Sequence, residues 1–236
     1  MLPTIDLVAP SLPSWVDQEK ESRLVPDTPA FTHAYTNSTA HGIPQIALSP
    51  AQGKFTSLLA SISGAKNVLE LGTLGGYSAL WFAQAIKGRG GKVTSIEINK
   101  ERRDVAIENL EYAGVKVPEE VEILLGAGLD VLPRLAEEID QGKRERFDFT
   151  FIDADWDNQA AYFDWGVKLS RGKGSVIYVD NVVRQLLEIG AVGAAEKDTT
   201  LENLVDTVAK DDRVEAVVMQ TLGSKDMDGF LFAGLK

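Results

Sequence analysis

No cysteine occurs in the 236 residues. A disulfide framework, a thiolate nucleophile and a cysteine-ligated zinc site are therefore excluded. Histidine is nearly as scarce, with only His33 and His41, both near the start of the chain. Basic residues are outnumbered, 24 Lys and Arg against 35 Asp and Glu, for a formal charge of −11. Following the phosphates of DNA or RNA takes clustered Lys and Arg, so no nucleic-acid partner is expected. Long apolar runs are also missing. No stretch approaches the roughly 20 residues of a membrane-spanning helix. The opening "MLPTIDLVAPSLPSWVDQEKE" shows no basic segment followed by an apolar one. The expectation is a cytoplasmic protein without a membrane partner.

What is present suits a folded globular chain, 44% hydrophobic and 25% charged. Residues 1–236 read as one domain. Residues 1–45, rich in Pro, Thr and Ser, read as an appendage or lid with one helical patch, "LPSWVDQEKESRLV". A helix then starts at Ser49 as N-cap with Pro50 in its first turn, and Phe55, Leu58, Leu59 and Ile62 fall on one face. Gly64 ends it.

From Asn67 short apolar runs alternate with amphipathic stretches. The runs "NVLELG", "KVTSIEI", "VEILLG", "FDFTFIDAD" and "GSVIYVDN" read as buried strands separated by helices. Such alternation predicts an α/β fold, a doubly wound parallel sheet with helices on both faces. "RVEAVVMQTL" and "DGFLFAGL" read as a closing antiparallel hairpin, for seven strands in all. Ligands of such sheets gather at the carboxyl ends of the strands. The residues there are Glu70, Gly72, Glu97, Gly126, Asp153, Asp155, Asp180 and Asn181.

"ELGTLGGYS" follows the first strand and opens a helix, so Gly72, Gly75 and Gly76 form a tight turn against a ligand. The spacing is not that of dinucleotide folds, and Glu70 two residues earlier would repel a pyrophosphate. A positively charged ligand without phosphate, S-adenosylmethionine, fits better than NAD. Glu97 is placed to accept from ribose hydroxyls, as acidic residues there also do in NAD enzymes. Asp153, Asp180 and Asn181 are three hard oxygen donors at two strand ends, a set suited to Mg²⁺ or Ca²⁺ rather than zinc. Read singly, Asp153 could be a helix cap and "DN" a turn.

"VLELGTLGGYSAL", "VTSIEIN", "FDFTFIDAD" and "YVDNVV" together resemble the cation-dependent class I O-methyltransferases of the catechol and caffeoyl-CoA type, over about Ala47 to Val183. The resemblance implies a Rossmann-like seven-stranded sheet, mostly parallel with an antiparallel last strand. It implies S-adenosylmethionine held by Leu48, Glu70, Gly72, Gly76, Tyr77, Ser78, Glu97, Ala127 and Asp153. It implies metal ligands Asp153, Asp180 and Asn181, with Mg²⁺ ahead of Ca²⁺ or Mn²⁺, a small phenolic acceptor and a homodimer. One departure stands out: "DADWDN" puts Trp156 where many members carry a lysine proposed as general base, and Trp cannot take a proton. His33 or His41 could serve only if the first segment folds over the pocket. The other readings are a metal-independent methyltransferase and a cofactor-binding protein without chemistry.

Overall fold

A computed structural model describes residues 19–25, 27–192, 203–222 and 227–236. Seven strands form one sheet, β1 (Val68–Leu71), β2 (Val93–Glu97), β3 (Val121–Leu125), β4 (Phe149–Ile152), β5 (Val176–Val179), β6 (Val214–Leu222) and β7 (Met227–Leu235). Their order is β3-β2-β1-β4-β5-β7-β6. Only β7 runs against the others, since it is antiparallel to both β5 and β6. The connections reverse direction between β1 and β4, which opens the crevice where doubly wound sheets take their ligands. The expected hairpin forms; residues 223–226 of its connection lie outside the described residues, as do residues 12–18 of the first helical patch.

The helices are α1 (Pro29–Ala40), α2 (Pro50–Ile62), α3 (Tyr77–Ile86), α4 (Lys100–Tyr112), α5 (Gly128–Asp140), α6 (Gln159–Leu169), α7 (Val182–Glu188) and α8 (Leu204–Ala209). Residues 19–24 add a short helical stretch. Alternate strand residues feed two cores, one on each face of the sheet. Val68, Phe149, Phe151 and Tyr178 pack with Trp81, Phe82 and Leu110 on one side. Leu69, Ile152 and Val179 pack with Leu132, Leu135 and Phe163 on the other. Strands buried on both faces explain the unbroken apolar runs in the sequence.

One local expectation needs correction. Helix α2 begins at Ser49 with a full capping box, Gln52 answering Ser49, as its sequence suggests. Three of its four stripe residues nevertheless point outward: Phe55, Leu58 and Ile62 are 41%, 47% and 81% exposed, and only Leu59 packs against the core. The buried face is Gly53, Thr56, Ser57 and Ala60. Gly53 sets this rotation, because a Cβ there would lie 2.2 Å from Trp81 Nε1. Close backbone approach has overridden hydrophobic periodicity. Helix α1 lies in the segment read as an appendage, beyond the helical patch noted there, and its sequence carries no strong period. It forms because Phe31 stacks on Trp81 at 4.1 Å and Ala34 is buried, so tertiary packing supplies what propensity lacks.

Candidate active site

A cavity of about 1080 Å³ opens at the carboxyl ends of β1, β2, β4 and β5. A single small-molecule site usually occupies about 300–1,000 Å³, so this one has room for two ligands side by side. Leu48, Gly72, Tyr77, Ser78, Glu97, Ala127, Asp153, Trp156, Asp180 and Asn181 all line it. Glu70 and Gly76, also expected at the cofactor, lie behind this wall.

The glycine loop is shaped by close contacts. Gly72 has φ +92° and sits so near β4 that a Cβ would meet the Asp153 carbonyl oxygen at 2.0 Å. Any side chain there would push the two strand ends apart. Gly76, at φ 80°, is the N-cap of α3. Between them Leu74 holds a left-handed φ of 51°, which strains a residue with a side chain. Glu97 holds this turn. Its Oε2 accepts the N–H groups of Thr73 and Leu74 at 3.2 and 2.9 Å, and its Oε1 accepts that of Asn99 at 2.9 Å. The residue expected to meet a ribose thus also fixes the loop beside it.

Glu70 lies within β1, wholly buried, and accepts a hydrogen bond from the Ser95 hydroxyl. Burial is the main cause that pushes its carboxyl up to about 7; hydrogen bonding from nearby Ser78 and Ser95 works against it, and the charge of Glu97 adds to it. Its Oε1 has no well-directed partner. An unpartnered buried carboxylate oxygen beneath the loop fits a cationic ligand above it.

Across the crevice Ile152 pairs with Val179, so the next residues, Asp153 and Asp180, leave adjacent strands side by side. The Asp180 N–H donates to the Ile152 carbonyl at 2.9 Å. Burial above all, then the charge of Asp153, raises the Asp180 carboxyl well above the usual range. Asn181 follows in the left-handed conformation, φ 58°, which Asn tolerates better than most residues, and caps α7. Two glutamines tie the strand ends together: Gln159 Nε2 donates to the Asp180 carbonyl at 3.0 Å, and Gln185 Nε2 to the Trp156 carbonyl at 2.9 Å. No described cluster of three or more His, Cys, Asp or Glu could hold a metal. The converging donors are two carboxylates and one amide, and the mutual repulsion of the carboxylates makes them suited to a hard cation.

Some functional positions escaped the sequence. Asp228, at the start of β7, lines the cavity and accepts from Asn181 Nδ2 at 2.9 Å; along the sequence it is simply the first residue of the hairpin strand "DGFLFAGL". Lys20 and Arg102 also border the cavity, beside Arg184, although no basic cluster is visible along the chain. Neither histidine reaches the cavity. His33 stacks on Tyr112 at 3.6 Å and the His41 ring meets the Asn37 carbonyl at 2.9 Å.

A doubly wound seven-stranded sheet with a reversed β7, a glycine loop and an acid at the end of β2 defines a class I methyltransferase architecture. A family model described as O-methyltransferase matches residues 25–229. The chain is 41% identical over 232 residues to the O-methyltransferase imqG of Aspergillus flavus, covering 95% of this chain and 92% of that one. It is 41% identical over 224 residues to a catechol O-methyltransferase of Mycobacterium tuberculosis, covering 94% and 95%. The crystal structure of an O-methyltransferase from Bacillus cereus in complex with SAH superposes with a TM-score of 0.84 at 38% identity, over 96% of this chain and 100% of that chain. The chain belongs to the S-adenosylmethionine-dependent O-methyltransferase family.

Proposed function

We propose that this chain methylates a phenolic hydroxyl of a small catechol-like aromatic beside a divalent cation, Mg²⁺ by preference, held by Asp153, Asp180 and Asn181. The observation that carries this reading is the β4–β5 register, which sets the buried carboxylate of Asp180 next to the half-buried one of Asp153 on the cavity that the glycine loop also lines. A divalent cation at such a site acts as a Lewis acid and lowers the pKa of a hydroxyl bound to it.

The chain's own contribution is alignment. The glycine loop, fixed by Glu97, holds the methyl donor on the β1–β2 side, and Asp153, Asp180 and Asn181 hold the acceptor's end on the β4–β5 side. Gly72 against Asp153 sets the spacing between the two, so the acceptor oxygen can be aimed at the methyl group for in-line displacement. Trp156 offers aromatic surface to a flat ring. Trp156 accepts no proton, so the chemistry relies on ionisation of the acceptor rather than on a lysine base.

The test is methyl transfer from labelled S-adenosylmethionine to catechols, single phenols and a phenolic CoA ester, each with Mg²⁺ and with EDTA. Product confined to vicinal diols and to the metal-containing arm is the expected outcome. Equal product in EDTA would overturn the role of Asp153, Asp180 and Asn181, and preference for the CoA ester would assign Lys20 and Arg184 to the acceptor.

A further inference from the structure

Only one end of the Asn181 side chain can serve a cation, because Oδ1 carries lone pairs and Nδ2 does not. The amide turns about its last bond in a broad, roughly two-fold torsion, so nothing within Asn181 decides which end faces the site. Asp228 supplies the decision. Its Oδ2 accepts from Asn181 Nδ2 at 2.9 Å. Turning the amide over would set Oδ1 against that carboxylate oxygen, two acceptors with no proton between them.

Asp228 is itself held in place. Its Oδ1 accepts the N–H groups of Arg184 at 2.9 Å and Gly229 at 2.7 Å, one from α7 and one from β7. Gly229 makes the approach possible, since a Cβ there would lie 2.3 Å from the Met219 carbonyl oxygen and 2.5 Å from Val183 Cγ2. The start of β7 therefore comes close against α7 with its carboxylate aimed at Asn181.

We propose that Asp228 is the positioning residue of the cation site: by accepting the Asn181 Nδ2–H it commits Oδ1 to the cation. The inference rests on the metal reading of Asp153, Asp180 and Asn181. It differs from a plain charge effect, which is a real competitor because the charge of Asp228 also reaches Asp180.

The experiment is Mn²⁺ binding to the full chain, followed by electron paramagnetic resonance in the presence of S-adenosylhomocysteine. Asp228→Asn is expected to weaken binding about tenfold, the usual effect of losing a group that orients a ligand. Asp228→Glu keeps the charge but displaces it, and is expected to weaken binding as well; full affinity in this variant would favour through-space charge and overturn the proposal. In an Asn181→Asp background either oxygen can ligate but two carboxylates face each other, so Asp228→Asn, which restores a donor between them, should there leave binding unchanged or tighten it. An equal loss in both backgrounds would overturn the positioning role while leaving the metal reading intact. Absence of Mn²⁺ binding by the unaltered chain would remove the metal reading and the proposal together. Retained S-adenosylhomocysteine affinity in each variant shows that the fold is preserved.

Discussion

The two ends of the sheet bury the same kind of side chain in opposite ways. At the amino-terminal end Asp148 is 4% exposed: Oδ2 accepts the N–H groups of Lys66 and Asn67 at 2.8 and 2.9 Å, and Oδ1, without a well-directed hydrogen bond, is paired with the charge of Arg171, whose Nε lies 3.0 Å away. Glu122, near the start of β3, is desolvated too, yet hydrogen bonds from Arg144 and Thr94 outweigh that burial and hold its carboxyl below the ordinary range. At the carboxyl end Asp180 and Glu70 are equally buried, and their carboxyls are pushed up instead. Burial is common to both ends; what differs is whether a cation of the chain stands beside the carboxylate, as Arg171 and Arg144 do at the amino-terminal end and none does for Glu70 or Asp180. Acids paired with arginine hold the fold, and buried acids without a cation are suited to one that arrives.

The comparison is broken most forcefully at the carboxyl end. Asp180→Ala should lower kcat/KM for methyl transfer by on the order of 100-fold or more, since it removes a ligand from Lewis-acid chemistry worth several kcal/mol. The same variant in EDTA should melt no lower than the unaltered chain, because a repelled carboxylate has gone. A clear loss of melting temperature would make Asp180 a structural acid like Asp148. Asp148→Ala should do the reverse, lowering stability by about 3 kcal/mol in urea unfolding as two backbone N–H groups lose their acceptor. Activity of the fraction that remains folded should be unchanged; a loss of turnover would link the two ends.

The smallest effect concerns Glu70. Its folded carboxyl titrates near 7 against 4.5 when free, so the folded state holds its proton to higher pH than the unfolded chain does. Stability from this group is full below the unfolded value and declines as pH rises toward the folded one. The loss should be about 2 kcal/mol between pH 5 and pH 7. Denaturant unfolding of Glu70→Gln across that range should show a flatter pH dependence than the unaltered chain. An identical slope would mean that burial does not raise the Glu70 carboxyl.

Much of this was legible from local order along the chain. The alternation of apolar runs with amphipathic stretches determined the α/β class, and "ELGTLGGYS" determined a tight loop at a ligand. The "DAD" and "DN" ends of two strands determined where acids meet the crevice. The Ser49–Pro50 pair determined a helix start. Strand period, turn residues and caps each depend on a few neighbouring residues, so they can be read without knowing the fold.

Tertiary structure decided what depends on residues far apart. The outward turn of Phe55, Leu58 and Ile62 follows from Gly53 meeting Trp81, and helix α1 exists because Phe31 finds the same Trp81. Glu97 could be placed at a strand end, but its grip on Thr73 and Leu74 spans more than twenty residues. Asp228 is 47 positions from Asn181 and meets it only because β7 is inserted between β5 and β6. A periodic pattern says which face of an element is apolar. Close packing decides which face fits, and which distant carboxylate finds a donor.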